Sequence, residues 1–405
     1  MTNTSISGQA DKLPDATERR DGRYAAQRML WRESSLPRLR HCGRSMSKHT
    51  GDGQTVKVKH SDGVTGFSGL QTCGSVWACA VCSQKIASVR SADIGAAADA
   101  WHLRGSRIVF LTLTMRHNRG QRLDDLWDNL AAGWKKVASG RPWENNCKNY
   151  GIPIPRVIKS GAEKGKTVIE PRIPYIRAVE STHGANGWHL HIHALLFVSG
   201  KFTDDDVETL RDDIYARWSG ALTSRGMHAP SVAHGVDAKL VRRGSTELLG
   251  GYFAKSVYTG RAPVAKGSAS RATGWEVAGG GGKTARGVNR TPFQILADVE
   301  ALGDADDLAI WWEWESASKG RRQITWSVGL REFLGLNDEL TDEQIAEEEL
   351  GGDIVMEFDA DEWFELQWHK GRICSLIDAG IRCKKELIHA VTTRQKNPQL
   401  VLSPN

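Results

Sequence analysis

Apolar and polar positions follow two periods along this chain. From Trp188 to Ala194 they alternate strictly, and an apolar run continues to Phe197. In an extended segment, His189, His191 and His193 then share one face, and Leu190, Ile192, Ala194 and Leu196 the other. That pattern predicts a strand. Arg107 to Thr114 (Arg-Ile-Val-Phe-Leu-Thr-Leu-Thr) predicts a short buried strand. Tyr175 to Glu180 predicts another, joined to the histidine strand by the turn Thr182 to Gly187, where Asn186-Gly187 is a strong turn signal. Gly235 to Arg242 predicts a fourth strand.

Elsewhere the period is helical. Leu126, Trp127, Leu130, Ala131 and Trp134 mark an amphipathic helix over Leu123 to Val137. A helix is expected from near Ser83 toward Trp101, another after the cap Thr203 with acids in its first turn, and a third from Ser245 to about Tyr258. Residues 1–35 read as a disordered tail. Residues 140–172, with Pro142, Pro153, Pro155 and Pro171, read as a loop insertion. Residues 261–290, rich in Gly, Ala, Ser, Lys and Arg, read as a flexible basic loop, and 291–405 as mostly helical. The expected fold is α+β: a central antiparallel sheet with flanking helices, a cysteine-rich segment over 36–95 and a helical C-terminal region.

Composition narrows the class. A chain of 405 residues with 40% hydrophobic content can build two or three domains. No apolar run approaches the ~18 residues that span a bilayer. The polar N-terminus has no secretory h-region, so no membrane partner and a cytoplasmic location are expected. In such a reducing compartment the seven cysteines suit metal binding better than disulfides. The net charge of +6 is unevenly spread. Residues 338–365 hold 13 Asp or Glu and no Lys or Arg, so the 54 basic residues face only 35 acids elsewhere, the chain's 48 less these 13. That body suits a polyanion such as nucleic acid. The acidic stretch reads as a solvated helix face or an interaction segment.

Three groups carry chemistry. Neutral imidazole is the commonest metal ligand. If the hairpin turn centres between residues 185 and 186, Glu180 lies opposite His191, with Cβ atoms about 4.5–5.5 Å apart. A slip of one residue would send it to the other face. Two imidazoles and a carboxylate leave positions on a divalent ion, Mg²⁺ or Mn²⁺, open for a phosphate. His189 is an alternative ligand or a partner behind the ligands. Cys79-Ala80-Val81-Cys82 forms a knuckle that, with Cys73 and Cys42, suits a structural Zn²⁺, and His41 or His60 could replace Cys42. Tyr252 and Lys255 are helical neighbours if that segment is a helix. The ammonium would favour phenolate, a nucleophile for phosphodiesters. Gly279 to Thr284 mimics the end of a P-loop, but Val277 stands where its first glycine belongs and no strand precedes it.

In this order the segments resemble the motifs of the HUH endonucleases, in particular the one-tyrosine rolling-circle plasmid replication initiators (Rep). Phe110 to Thr114 resembles their first motif. His191-Ile192-His193 running into Ala194-Leu195-Leu196 resembles the second, and Gly250-Gly251-Tyr252-Phe253-Ala254-Lys255 the third. Trp188, and the stretch from Arg290 through Gly320-Arg321-Arg322 to Leu330, also look like this family. The resemblance implies a ferredoxin/RRM-like nicking domain over 96–260, with metal ligands His191 and His193. It implies that Tyr252 forms a 5′-phosphotyrosine beside the motif lysine Lys255. The implied partners are plasmid origin DNA, single-stranded or hairpin, and host replication proteins such as a helicase. Many of these proteins carry a water-activating glutamate four residues before the tyrosine. Here Glu247 stands five before, about 140° off the tyrosine face of a regular helix. Relaxases, in contrast, usually place the tyrosine before the histidines. An HUH relaxase or transposase, a non-catalytic zinc-dependent DNA-binding regulator and a small-molecule metallohydrolase are the rival readings.

Overall fold

The computed structural model describes residues 16–47, 55–61, 64–158, 160–241, 289–349 and 351–393. Its strands are β1 (Val56–Ser61), β2 (Val64–Ser68), β3 (Arg107–Thr114), β4 (Ile152–Val157), β5 (Thr167–Arg172), β6 (Tyr175–Gly184), β7 (Gly187–Val198), β8 (Val236–Leu240), β9 (Ile324–Trp326) and β10 (Asp353–Phe358). Five of them form an antiparallel sheet in the order β8-β3-β7-β6-β9.

Strand β7 sits at the centre, and its two faces explain the architecture. Leu190, Ile192, Ala194, Leu196 and Val198 are all fully buried. They share a core with Leu126, Leu130 and Trp134 of helix Leu123–Val137 and with Ile214 and Trp218 of helix Asp204–Thr223. Burying each large apolar side chain contributes about 1.5–3 kcal/mol. A slip of one residue would forfeit this and drive three imidazoles into the core, so the register is strongly determined. The opposite face changes character along its length. Leu195 and Phe197 pack with Ile94, Ala98 and Trp101 of helix Ala80–Leu103. Trp101 closes that end by donating from Nε1 to the carbonyls of Arg107 and Val198, at 3.0 and 3.1 Å. His193 begins the polar end of the same face.

Three expectations differ from the structure. The presumed N-terminal tail contains helix Ala16–Glu33, with Ala26, Leu30 and Trp31 buried. Charged residues crowd the rest of that helix and mask the stripe. The presumed loop insertion holds helix Gly140–Tyr150 and the β4–β5 ribbon. Its prolines are compatible with both: Pro142 lies in the first helical turn, and Pro153 faces Pro171 in a ribbon that has only edge strands. The C-terminal region, expected to be mostly helical and built largely of helices, also supplies β9 to the central sheet and β10 to a second sheet, β10-β1-β2. In β10, Met356 and Phe358 are buried while Glu357 is exposed, so part of the acidic stretch is an amphipathic strand. It packs with Trp363, Ile373 and Ile377 against β1. No helix among the described residues is long and apolar enough to cross a membrane.

Candidate functional site

The site is built on the β6–β7 hairpin. Gly184 pairs with Gly187 across Ala185-Asn186, and Glu180 pairs with His191. Gly187 has φ +82°, and a Cβ there would lie 3.1 Å from the Cα of Arg119, so the turn needs glycine twice over. On the other side of β7, Thr112 of β3 pairs with His193. Directly paired residues point to the same face, which brings Thr112, His193, His191 and Glu180 together.

Glu180 Oε2 lies 3.3 Å from His191 Nε2 and 3.0 Å from His193 Nε2. Burial alone would raise the Glu180 carboxyl, but hydrogen bonds from His191 and His193 override it and hold the group well below the usual carboxylate range. Two ligands at about 2.1 Å from an ion and 90° apart are about 3.0 Å from each other, close to both separations. The three ligand atoms lie within 4.8 Å of one another, and His191 Nδ1 is buried without a hydrogen-bond partner among the described residues. This donor set fits a divalent cation.

His193 is oriented from behind. Its Nδ1 lies 3.1 Å from Thr112 Oγ1, and its ring stacks on Phe110 at 5.4 Å and 20°. A hydroxyl both donates and accepts. Thr112 can therefore donate to Nδ1 when Nε2–H faces Glu180, and accept from Nδ1–H when Nε2 offers its lone pair to a cation. His189 lies outside the close group. It stacks on His117 at 5.0 Å and 21°, with His191 at 5.2 Å. Burial, then the neighbouring His191 and His117, draw its imidazole down to about 4. His117 was not singled out by sequence; the only signal was its place just beyond the Phe110–Thr114 motif. Tyr252, Lys255 and Glu247 lie outside the described residues, as do Ser245 to Tyr258 and residues 261–288.

Beneath the turn, His183 and Arg290 exchange backbone hydrogen bonds, both at 2.8 Å, and the Arg290 guanidinium reaches Asp298 and Asp307. Buried Trp188 donates to Glu313 Oε2 at 2.8 Å and stacks on Trp314 at 5.1 Å. Trp314 meets Trp77 at 5.5 Å and donates to its carbonyl. This aromatic run leads from the histidine hairpin to the cysteine knuckle.

The four cysteines of that knuckle are buried together, with their sulfurs within 4.8 Å of one another. Cys42 Sγ lies 3.6 Å from both Cys79 and Cys82, and Cys73 is 3.7 Å from Cys82. These separations are far too long for disulfides. Thiolates at 2.3 Å around a tetrahedral zinc would be about 3.8 Å apart, so the cluster has the size of such a site. Cys79 caps helix Ala80–Leu103 and Cys82 lies in its first turn, where the helix dipole favours a thiolate. Cys82 is held below the ordinary thiol range by hydrogen bonds from Cys42, Cys73 and Cys79. His41 and His60 are outside the cluster: His41 bonds Ser45, and His60 bonds Thr65.

The chain is similar to "Protein rep" of Streptomyces lividans, at 30% identity over 328 residues, 70% of this chain and 68% of that protein. It is similar over a shorter stretch to "Neomycin resistance protein" of Streptomyces cyanogenus, at 32% identity over 157 residues, 37% of this chain and 36% of that protein. No family model matches the chain, and no solved structure matches it.

Proposed function

This chain belongs to the family of the Streptomyces lividans Protein rep, and from that premise we propose that it initiates rolling-circle replication of a plasmid by nicking one strand of the origin. The observation that carries the reading is the convergence of Glu180, His191 and His193 on one strand face, with both Nε2 atoms turned to the same carboxylate oxygen. When bound there, Mg²⁺ or Mn²⁺ would polarise the scissile phosphate. Glu180, His191 and His193 would be its ligands, with His189 next to them, and Thr112 and Phe110 would hold the His193 ring.

Tyr252 is the proposed nucleophile. Its phenolate oxygen bonds to phosphorus while the P–O3′ bond breaks, and the departing oxygen takes up a proton. The products are a 5′-phosphotyrosine and a 3′-OH that primes synthesis. One phosphodiester replaces another, so a later 3′-OH can reverse the step and no nucleoside triphosphate is consumed. Lys255 favours the phenolate, and Glu247 is the candidate for activating the water that ends the reaction. The excess of Lys and Arg outside residues 338–365 suits phosphate contacts. Cys42, Cys73, Cys79 and Cys82 would hold a structural Zn²⁺ that orders the N-terminal segment. The nicking unit would span residues 96–260, the 3′-OH would be handed to host replication proteins such as a helicase, and the setting would be the cytoplasm.

The test is an incubation of supercoiled origin plasmid with the protein and Mn²⁺ or Mg²⁺. Nicked plasmid carrying covalently attached protein, lost in Tyr252→Phe and in His191→Ala, is the expected result. Undiminished nicking by Tyr252→Phe overturns the nucleophile. Origin binding without cleavage by the unaltered protein would replace this reading with that of a zinc-dependent DNA-binding regulator.

A further inference from the structure

We propose that Lys370 is the built-in counter-cation of the four-cysteine centre and sets how tightly that centre holds zinc. Lys370 opens helix Lys370–Asp378 and is 3% exposed. Its ammonium donates to Gln27 Oε1 at 2.7 Å and to the carbonyl of Gly43 at 3.2 Å. It also lies over the Tyr24 ring at 4.5 Å and faces Phe67 at 5.4 Å. No carboxylate pairs with it among the described residues.

The amide of Gln27 carries the contact onward. Gln27 is fully buried, and its Nε2–H donates to Cys42 Sγ at 3.6 Å. Gly43, the other acceptor, directly follows Cys42. The ammonium therefore stands one amide away from a sulfur of the cluster. Gly43 has φ +63°, and a Cβ there would fall 2.5 Å from Gln27 Nε2 and 2.8 Å from Lys370 Nζ, so glycine is required for this approach.

The charges explain the arrangement. A buried ammonium without a counter-charge is costly. Four thiolates around one Zn²⁺ carry a net charge of −2, equally costly in a dry interior. Placed together, the two offset each other, and the Gln27 N–H draws electron density from the Cys42 sulfur. Burial pulls the Lys370 ammonium down to about 8, while Cys42, Cys374, Cys79 and Cys82 oppose that fall. Of the nearby charged groups on the same side, Arg20 and Asp378 are paired with each other.

The inference rests on the four cysteines being a zinc site. Its test uses the full-length protein at fixed pH and salt. Zinc per chain is measured first, and zinc transfer to the chelator 4-(2-pyridylazo)resorcinol second. The unaltered protein should hold one zinc. Lys370→Met should hold it about 10–100-fold more weakly, the usual effect of losing an outer-shell partner. Gln27→Glu keeps the size and gives Lys370 a direct ion-pair partner, but turns a carboxylate toward Cys42. It should weaken zinc binding by about tenfold or more, and it carries the test if Lys370→Met fails to fold. Arg20→Met loosens the same helix without facing the sulfurs and should keep the original affinity. Equal zinc retention by Lys370→Met or by a folded Gln27→Glu, or equal loss in Arg20→Met, overturns the proposal. An unaltered protein that binds no zinc overturns the zinc site itself.

Discussion

Replacing Thr112 with valine tests the histidine centre with little change in shape. Valine is β-branched like threonine and suits a half-buried position in a central strand, so the backbone should keep its register. The change removes one polar contact, the 3.1 Å bond between Thr112 Oγ1 and His193 Nδ1. A typical intramolecular hydrogen bond contributes about 0.5–1.5 kcal/mol to stability, so the variant should fold. The larger effect falls on the cation. Losing the group that orients a ligating imidazole typically weakens metal binding by about 10–100-fold, or about 1.4–2.8 kcal/mol. The assay is origin nicking titrated with Mn²⁺. The half-saturating Mn²⁺ should rise by that factor while turnover at saturating Mn²⁺ is retained, because Phe110 still stacks on the ring. Thr112→Ser should restore the original Mn²⁺ dependence. If Thr112→Val responds to Mn²⁺ as the unaltered protein does, then His193 is not held through its Nδ1, or is not a ligand.

Gly133→Ala should destabilise the fold by about 1–3 kcal/mol through overpacking, read as a lower urea midpoint. The new Cβ would lie 2.4 Å from Cζ3 of Trp218, so an unchanged midpoint would refute the tight helix crossing. In metal-free protein, His189 is pulled from 6.5 to about 4. The unfolded chain then binds more protons in that window, so stability is full above about pH 6.5 and falls as the pH drops toward 4. His189→Gln should flatten this part of the melting-temperature profile, and an unaltered slope would count against it. Cys79→Ser should lose zinc and lower the melting temperature, because the cluster ties residues 42, 73 and 82 together; full zinc retention would exclude Cys79 as a ligand.

What was legible in the sequence were the features with local periodicity. The alternation of Trp188 to Ala194 and the Asn186-Gly187 turn together sufficed to place Glu180 opposite His191, as the register has it. The Cys79–Cys82 knuckle is equally local, and Cys42 joins it despite its distance along the chain. What escaped depends on contacts between distant segments. Helix Ala16–Glu33 buries a stripe of apolar residues diluted among arginines, and its partners are spread along the chain, at Pro37–His41, Ala80–Leu103, Pro292–Leu302 and Lys370–Asp378. Strand β10 is six residues flanked by acids, and only β1 makes its alternation meaningful. Trp188 reads as a hairpin aromatic, whereas its indole N–H is held by Glu313, 125 positions away. The Thr112 hydroxyl gained its role only from the pairing of β3 with β7.

The pairing of Val56 with Phe358 makes assembly of this protein late in time. A ribosome adding about 5–20 residues per second needs about 15–60 s to cover the distance between those two positions. Throughout that interval one side of β1 has no hydrogen-bonding neighbour, and Val56 and Val58, fully covered in the finished molecule, lack Met356, Phe358, Trp363 and Ile373, with which they share a core. An uncovered edge with apolar side chains is a template for pairing with other chains. Chains truncated before residue 353 should therefore aggregate even though Cys42, Cys73, Cys79 and Cys82 and the histidines of the β6–β7 hairpin are all present. Expression would depend on translation passing this segment, and a tag or fusion partner is better placed where it leaves residues 353–393 free to dock.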